Sequence, residues 1–299
     1  MIKVLRTLMG GFLMGTADLI PGVSGGTIAL ILGIYERLVT SVKEGSLALA
    51  SLVRADFVRM RRHLSEVEWG FLVPLLAGIL SAVFLLSGVL ETQLDERPQL
   101  LAGLFLGLVL GSVVIAWRLL RRPSVLHVVV AAVVTLGLFV VLGVGEGAIP
   151  EDPSALVFFG AGALAICAMI LPGISGSLIL VLVGMYAPVL GAVNDREVLL
   201  VLVFTSGAVV GLAFFSQLLH WALEHHHDLL MAGLVGLMAG STRVLWPWPD
   251  GVTGPELGRP TEGWPWVLVA ALIGAVAVSG ISRVAETREE EVIAPQPSG

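Results

Sequence analysis

Two short segments combine proline, glycine and serine in the same order inside long apolar runs. Pro21-Gly22-Val23-Ser24-Gly25-Gly26 lies within residues 5–35, and Pro172-Gly173-Ile174-Ser175-Gly176-Ser177 lies within residues 155–190. Proline removes a helical hydrogen-bond donor and glycine permits backbone angles closed to other residues, so each segment predicts a helix break. Ser24 and Ser175 are well placed to cap the helix that resumes after each break.

The helix N-termini after the breaks have the chemistry of an anion site. Small residues stand at and behind each cap, and the predicted phosphate-binding set is Ser24, Gly25, Gly26, Thr27, Ser175, Gly176 and Ser177. Uncovered backbone N–H groups at the positive end of a helix dipole suit phosphate, and the hydroxyl groups add donors. The hinge residues would be Pro21, Gly22, Pro172 and Gly173. The alternative is that the breaks only fold the chain and let backbones approach closely.

Asp18 is a carboxylate deep in the first apolar run, three residues before Pro21. Ionisable residues inside a membrane are costly and are functional candidates by default. Asp18 aligns with Met169 of the second segment, so the two breaks differ. We predict proton coupling or gating at Asp18, the alternative being a hydrogen bond that locks the break. Glu36 is a second gating candidate, or simply a charge at the membrane surface.

Two arginines could bind a phosphate headgroup from the ends of matched apolar runs. Arg118 ends the run 99–119 and Arg243 lies near the end of 229–246. Arg118 is also explained as a positive charge that anchors a cytoplasmic loop. No metal or cofactor is predicted, because Cys167 is the only cysteine and the consecutive residues His225, His226 and His227 do not share one helix face.

Composition indicates that lipid surrounds most of this chain. Its 299 residues are 56% hydrophobic and 13% charged, with a mean hydropathy of +0.94. A soluble domain has about 25% charged residues. No basic patch interleaved with aromatic residues is present in the sequence, which argues against nucleic acid as a partner.

Six apolar runs have about the 20 residues that a spanning helix needs. They are residues 69–90, 99–119, 125–145, 198–222, 229–246 and 264–284. The arms of the broken run 5–35 would each reach about 20 Å, too short for a core of about 30 Å, so a re-entrant hairpin fits better. The arms of 155–190 are longer, which leaves two tilted spans open. The predicted fold is an all-α integral membrane bundle of about six spanning helices plus two re-entrant hairpins.

Loop charges predict the orientation of the chain in the cytoplasmic membrane. The arginine-rich loops at 54–62 and 118–122 should be cytoplasmic, and the acidic loops at 91–97 and 146–152 should face outward. Both termini are then cytoplasmic, and we read the N-terminus as the first membrane element rather than a removed signal. Residues 44–67 are predicted to lie on the inner surface, and 285–299 to be disordered.

The two halves align as an internal repeat within a single membrane domain. Besides the two breaks, Gly78 matches Gly207, and the segment from Gly107 matches the segment from Gly236. The first repeat spans 5–119, followed by a connecting span at 125–145; the second spans 155–246, followed by a last span at 264–284. Three full spans separate the matching breaks, so the halves must be inverted. Inverted repeats with broken helices are typical of secondary transporters.

The segment from Gly15 to Thr27, followed by Gly33-Ile34-Tyr35-Glu36, resembles the signature of the bacterial and archaeal membrane family called domain of unknown function 368. The second break, with Gly184 and Tyr186, also fits, and the resemblance covers roughly residues 5–285. It implies a flippase that returns undecaprenyl phosphate from the outer to the inner leaflet, so that the carrier of cell-wall precursors is reused. The implied partner is therefore a membrane lipid, a polyprenyl phosphate; a homo-oligomer is left open.

Two other functions remain as alternatives. Undecaprenyl pyrophosphate phosphatases also use inverted repeats, but their Pro-Gly-x-Ser-Arg-Ser break has an arginine where this chain has Gly25 or Gly176. The cation that this chemistry needs is missing there, so an enzyme is not predicted. A transporter for a small soluble anion would use the same hairpins. A lateral opening toward lipid distinguishes the lipid transporter from the soluble-anion transporter.

Overall fold

The computed structural model describes residues 2–19, 23–144, 153–249, 256–260 and 263–293. These residues form thirteen helices and, within those ranges, no strand. In chain order they are α1 (Ile2–Asp18), α2 (Gly25–Ile31), α3 (Tyr35–Val53), α4 (Phe57–Glu66), α5 (Trp69–Glu96), α6 (Pro98–Arg118), α7 (Val125–Val141), α8 (Ala155–Ile170), α9 (Gly176–Leu182), α10 (Tyr186–Asn194), α11 (Val198–His225), α12 (His227–Ser241) and α13 (Trp264–Ile293). The predicted all-helical architecture is confirmed.

Four of these helices are long and apolar enough to cross a membrane. They are α5, α6, α11 and the Trp264–Arg283 part of α13, and the bent pair α9 and α10 makes a fifth if it is one span. The protein is therefore a multi-pass membrane protein. Two of the six predicted spans form shorter helices, because tight turns that begin at Leu142 and Thr242 end α7 and α12 after 17 and 15 residues.

Both long apolar runs are interrupted where the sequence predicts. The helix α1 ends at Asp18 and α2 begins at Gly25, while α8 ends at Ile170 and α9 begins at Gly176. Pro21 and Gly22 lie outside the described residues. The helices α2 and α9 have seven residues each, and both end in a turn with a glycine at positive φ, Gly33 at 68° and Gly184 at 70°. Glycine suits these turns because other residues are strained in that region.

Glycines let α1 approach α5, and α8 approach α11, until the backbones touch. A Cβ atom on Gly78 would collide with the carbonyl oxygen of Leu8, and one on Gly207 would collide with that of Phe159. Leu8 and Phe159 are separated by the same 151 positions as the two breaks, so the contact recurs at matching places in both halves. Small residues at membrane helix interfaces allow such close packing.

The second pair of close contacts crosses between the halves. The helix α6 packs against α13, and α12 packs against α7. Gly107 lies against the carbonyl of Ala271 and Gly236 against the carbonyl of Ala131. Since Gly107 and Gly236 are the residues that the repeat matches, each half supplies one helix to the other in the same way.

The helix α2 lies at the centre of the bundle, and all seven of its residues are buried. It contacts α1, α3, α6, α8 and α13. Its first residues therefore face protein rather than lipid. Irregular backbone at membrane depth is tolerated in that setting, because neighbouring groups can satisfy its hydrogen bonds.

The predicted surface segment 44–67 consists of two helices rather than one. The helix α3 continues to Val53, the chain turns at Ala55 with φ of 55°, and α4 follows without a buried residue. His63 of α4 lies 2.8 Å from a carboxylate oxygen of Glu44 on α3. This contact ties the short polar helix to the rest of the protein.

Candidate functional site

Asp18 lies at the N-terminus of α2. The backbone N–H of Gly25 donates to its Oδ1 at 2.6 Å. Asp18 is the last residue of α1, and its carboxylate lies against the first residue of α2, at the positive end of that helix. An anion is stabilised there by the helix dipole.

The first turn of α2 is closed by groups of the protein itself. Ser24 is its N-cap and accepts from the N–H of Gly26 at 3.1 Å, while the N–H of Thr27 donates to the Ser24 carbonyl at 2.9 Å. The expectation of uncovered N–H groups therefore does not hold for this end of the site in the conformation described. The carboxylate of Asp18 is itself the anion at this helix end.

The second break has the same cap without the carboxylate. Ser175 accepts from the N–H of Leu178 at 3.2 Å, and its hydroxyl lies 3.2 Å from that of Ser177. The N–H groups of Gly176 and Ser177 have no acceptor among the described residues. A Cβ atom on Gly176 would lie 2.7 Å from the Met169 side chain, as one on Gly25 would lie 2.6 Å from Asp18. A thioether thus covers α9 where a carboxylate covers α2.

The two breaks contact each other inside the bundle. Gly173 N–H donates to the hydroxyl of Thr27 at 3.0 Å, and the hydroxyl of Ser24 donates to the Leu171 carbonyl at 3.3 Å. Ser24 and Thr27 are fully buried. Tyr35 donates to the carbonyl of Ile170 at 3.2 Å. Residues 135 to 147 positions apart are therefore joined by polar contacts in an apolar core.

Gly173 is required at the second break for two reasons. Its φ is +85°, and an added Cβ atom would lie 2.6 Å from the Cα of Met238. Other residues are strained at that backbone angle, and the close approach leaves no space for a side chain. The break is consequently held against the last turn of α12.

Three predicted site residues have other surroundings. The guanidinium of Arg243 lies 4.8 Å above the Phe139 ring at the end of α7. Arg118 is exposed at the last residue of α6. Glu36 lies 3.4 Å from Nε2 of His227. Among the described residues, the polar contacts that join the breaks come from Ser24, Thr27 and Tyr35, not from Arg118 or Glu36.

Asp228 fastens the connection between α6 and α7 to the start of α12. It accepts from the backbone N–H groups of Arg121 at 2.9 Å and Arg122 at 2.8 Å, and His227 lies 3.1 Å away. The N–H of Arg121, followed by His227, lowers the pKa of the Asp228 carboxyl to about 2. The carboxylate is therefore charged throughout the physiological range, and the connection stays tied to α12.

Sequence reasoning missed the contacts between the breaks. Thr27 was selected as a phosphate donor, yet its hydroxyl accepts from Gly173. Tyr35 entered the sequence analysis only as part of the family signature, although it is one of two tyrosines and bonds across the halves. One signal in the sequence could have predicted these contacts. Polar residues stand in apolar runs at both breaks, and buried polar groups need hydrogen-bond partners, which the other break can supply.

A family described as undecaprenyl phosphate translocase-like matches residues 14–257 of this chain. The matched region contains both breaks and all the helices from α2 to α12. The chain belongs to this family. No solved structure matches it.

Two curated relatives of this chain are both named polyprenyl-phosphate transporter. The protein of Vibrio cholerae serotype O1 is 38% identical over 256 residues, covering 83% of this chain and 80% of the relative. The protein of Staphylococcus aureus is 28% identical over 300 residues, covering 94% of this chain and 97% of the relative. The likeness therefore extends over nearly the whole transmembrane bundle.

Proposed function

We propose that this protein transports a polyprenyl phosphate, undecaprenyl phosphate in particular, from the outer to the inner leaflet of the cytoplasmic membrane. Membership of the translocase-like family and the names of the two relatives support the substrate class. The apolar composition and the membrane-length helices support a site that lipid can reach. The direction follows from the role in recycling a carrier lipid after its cargo has been used outside the cell.

The proposed architecture is an inverted repeat of about six spans and two re-entrant hairpins, with both termini cytoplasmic. The carbonyl partners of Gly78 and Gly207, which are Leu8 and Phe159, are separated by the same 151 positions as the two breaks, and this recurrence supports the repeat. The bend of 110° between α9 and α10 supports a chain that changes direction within the second broken run, after the helix that follows the break. Broken helices in inverted repeats generally carry transporter substrate sites near the midplane.

The phosphate is proposed to bind where the two breaks meet. In the conformation described, Ser175, Gly176 and Ser177 offer hydroxyl and N–H donors without an internal anion. Ser24, Gly25, Gly26 and Thr27 would form the equivalent end once Asp18 has moved. Arg118 and Arg243 are proposed as headgroup contacts in other conformations, and Glu36 as a gating residue.

The observation that carries this proposal is the bond from the Gly25 N–H to Asp18. An internal carboxylate at α2 competes with the lipid phosphate for the same positive helix end. Protonation would remove its charge and weaken its hold, so proton uptake by Asp18 would open α2 to phosphate. Met169 has no proton to exchange at α9. The N-termini of α2 and α9 would therefore bind the phosphate in sequence rather than together.

We propose a transporter rather than an enzyme. The breaks carry Gly25 and Gly176 where a pyrophosphate phosphatase of similar design carries arginine. A cation at that position would be needed to stabilise the charge that develops in phosphoryl transfer. A carrier of a small soluble anion remains the rival function, and the assay below distinguishes it.

The test is leaflet exchange of undecaprenyl phosphate in liposomes that contain the purified protein. We expect exchange by the wild type and a loss of about tenfold or more for Ser175→Ala, because a hydrogen bond to a charged group contributes about 1.5–3 kcal/mol. Asp18→Asn should lose the pH dependence of the rate. Ser279→Ala is the matched control, since that exposed hydroxyl donates to Ala275 within its own helix.

The outcomes separate function from site. Absence of exchange by the wild type would reject the proposed function, and uptake of inorganic phosphate instead would favour the soluble-anion carrier. Exchange that is unchanged in Ser24→Ala, Ser175→Ala and Asp18→Asn would reject the site assignment and leave the function standing.

A further inference from the structure

An apolar groove of about 400 Å³ runs along α12 between α7 and α11. Val134 of α7, Trp221 of α11 and Leu229 of α12 line it. Trp221 and Leu229 are 48% and 40% exposed, so the groove opens sideways, toward the surface that lipid covers. Its volume is in the range of ligand pockets, about 300–1,000 Å³.

One end of the groove lies at the second break, inside the bundle. Leu171 lines the groove, and its carbonyl accepts the hydroxyl of Ser24. Leu237 also lines it and precedes Met238, against which Gly173 packs. The groove is therefore continuous with the place where the breaks meet.

The other end of the groove lies at the start of α12. His226, the N-cap of that helix, lines the groove there, with its ring 5.2 Å from that of Trp221. From Leu229 to Leu237 the groove follows about 12 Å of helix, at 1.5 Å per residue. It runs from the second break to the start of α12 along a lining that is almost entirely apolar.

We propose that this groove holds the isoprenoid units next to the phosphate while the phosphate is at the breaks. The inference rests on the proposed function. A polyprenyl phosphate that brings its headgroup to the core needs an apolar exit for its tail. The groove supplies that exit without removing the tail from an apolar environment, since lipid tails are as apolar as leucine side chains.

Gly233 keeps the groove open. It lines the groove, and an added Cβ atom there would have no heavy atom within 4 Å. The matching position of the first half is Leu104, whose carbonyl lies against Gly274 of α13. A leucine at 233 would therefore fill the groove without a collision, and the same helix of the repeat already carries leucine at that place.

The variant that tests the groove is Gly233→Leu, compared with Gly160→Leu. Gly160 lies in α8 and, like Gly233, is partly exposed and has no heavy atom near an added Cβ. It does not line the groove. We expect Gly233→Leu to slow leaflet exchange of undecaprenyl phosphate at least tenfold and Gly160→Leu to stay within about twofold of wild type. Wild-type exchange by Gly233→Leu would overturn the proposal.

A labelling measurement on the wild type guards against a folding defect in the variant. Undecaprenyl phosphate with a diazirine on its first isoprene unit should label residues that line the groove, namely Val134, Leu171 and those between Trp221 and Leu237. Labelling confined to residues outside the groove would overturn the proposal, as would equal labelling by a phosphatidylglycerol with a diazirine at the same distance from its phosphate. Wild-type exchange judges the proposed function, whereas the labelled positions judge the groove, so the two can fail separately.

Discussion

Asp18 and Met169 stand at matching positions and cover the first turns of matching helices. The carboxylate accepts an N–H from α2, whereas the thioether has little to offer α9 as an acceptor. One residue type therefore makes the two ends chemically unequal while their backbones remain alike. Asp18 forms a hydrogen bond at the break. This bond is compatible with gating, because a hydrogen bond to an ionised acceptor is stronger than one to a neutral acceptor.

Replacing Asp18 with alanine should destabilise the protein. The Gly25 N–H would lose its acceptor inside the bundle, and the loss of such a cap costs about 0.5–2 kcal/mol. Asp18→Asn should lose less, because its amide oxygen can still accept. The measurement is the apparent melting temperature of each variant in one detergent.

Asp56 supplies the matched control for this prediction. It is also a carboxylate at a helix start, accepting from the N–H of Arg59 at 3.0 Å, but α4 has no buried residue. Asp56→Ala should therefore have a smaller effect than Asp18→Ala. Equal melting temperatures for the two variants would contradict the structural role of the Asp18 bond.

At the scale of the helices, close glycine contacts hold α1 to α5 and α8 to α11. The same carbonyl contact is made at Gly78 and at Gly207, so both sites should respond alike to a methyl group. Gly78→Ala and Gly207→Ala should each cost about 1–3 kcal/mol, as is usual when a packed interface is overfilled. Unfolding from detergent micelles with increasing SDS measures this cost.

Gly88 of α5 is the control for the glycine variants. An added Cβ atom there has no heavy atom within 4 Å, so Gly88→Ala should be neutral or slightly stabilising, because alanine favours a helix. A cost at Gly88 equal to that at Gly78 would mean that the helix contact is not the cause.

The helices and their breaks were predictable because they depend on local composition. Proline followed directly by glycine marks the break in both apolar runs, whereas a lone proline or glycine, such as Pro74 or Gly78, lies inside α5. Two predicted spans were too long, since the turns after Leu142 and Thr242 lie within sequences that remain apolar. Hydropathy alone cannot locate such turns.

The contacts of the site depended on information that the local sequence does not hold. The bond from Gly173 to Thr27 joins residues 146 positions apart, and its donor and acceptor carry no spacing motif. The groove is similarly lined by Val134, Leu171 and Gly233, each an ordinary apolar or small residue of a membrane helix. The predicted roles of Arg118, Arg243 and Glu36 stay predictions.

At the scale of the whole molecule, Tyr35 links the two halves. It is 2% exposed and donates to Ile170 in the other half. Tyr35→Phe should cost about 1–2 kcal/mol, because a carbonyl is left without its donor inside the protein. It should also speed amide hydrogen exchange around Gly173, where the second break is held.

Tyr186, at the matching position of the second half, is the control. It is 45% exposed, and surface substitutions away from such contacts usually change stability by no more than about 0.5 kcal/mol. Tyr186→Phe should therefore leave both melting and hydrogen exchange unchanged. Equal effects of the two variants would contradict a link between the halves through Tyr35.

The single carboxylate at α2 also bears on the driving force. Microscopic reversibility requires that an asymmetric carrier without an energy source speed passage in both directions, so that it only equalises the leaflets. The difference between the N-termini of α2 and α9 can determine which step of transport is slow. It cannot by itself concentrate the lipid in one leaflet. Net recovery then needs either removal of the lipid at its destination or a proton that crosses with it, and Asp18 is the residue at the breaks that could carry one.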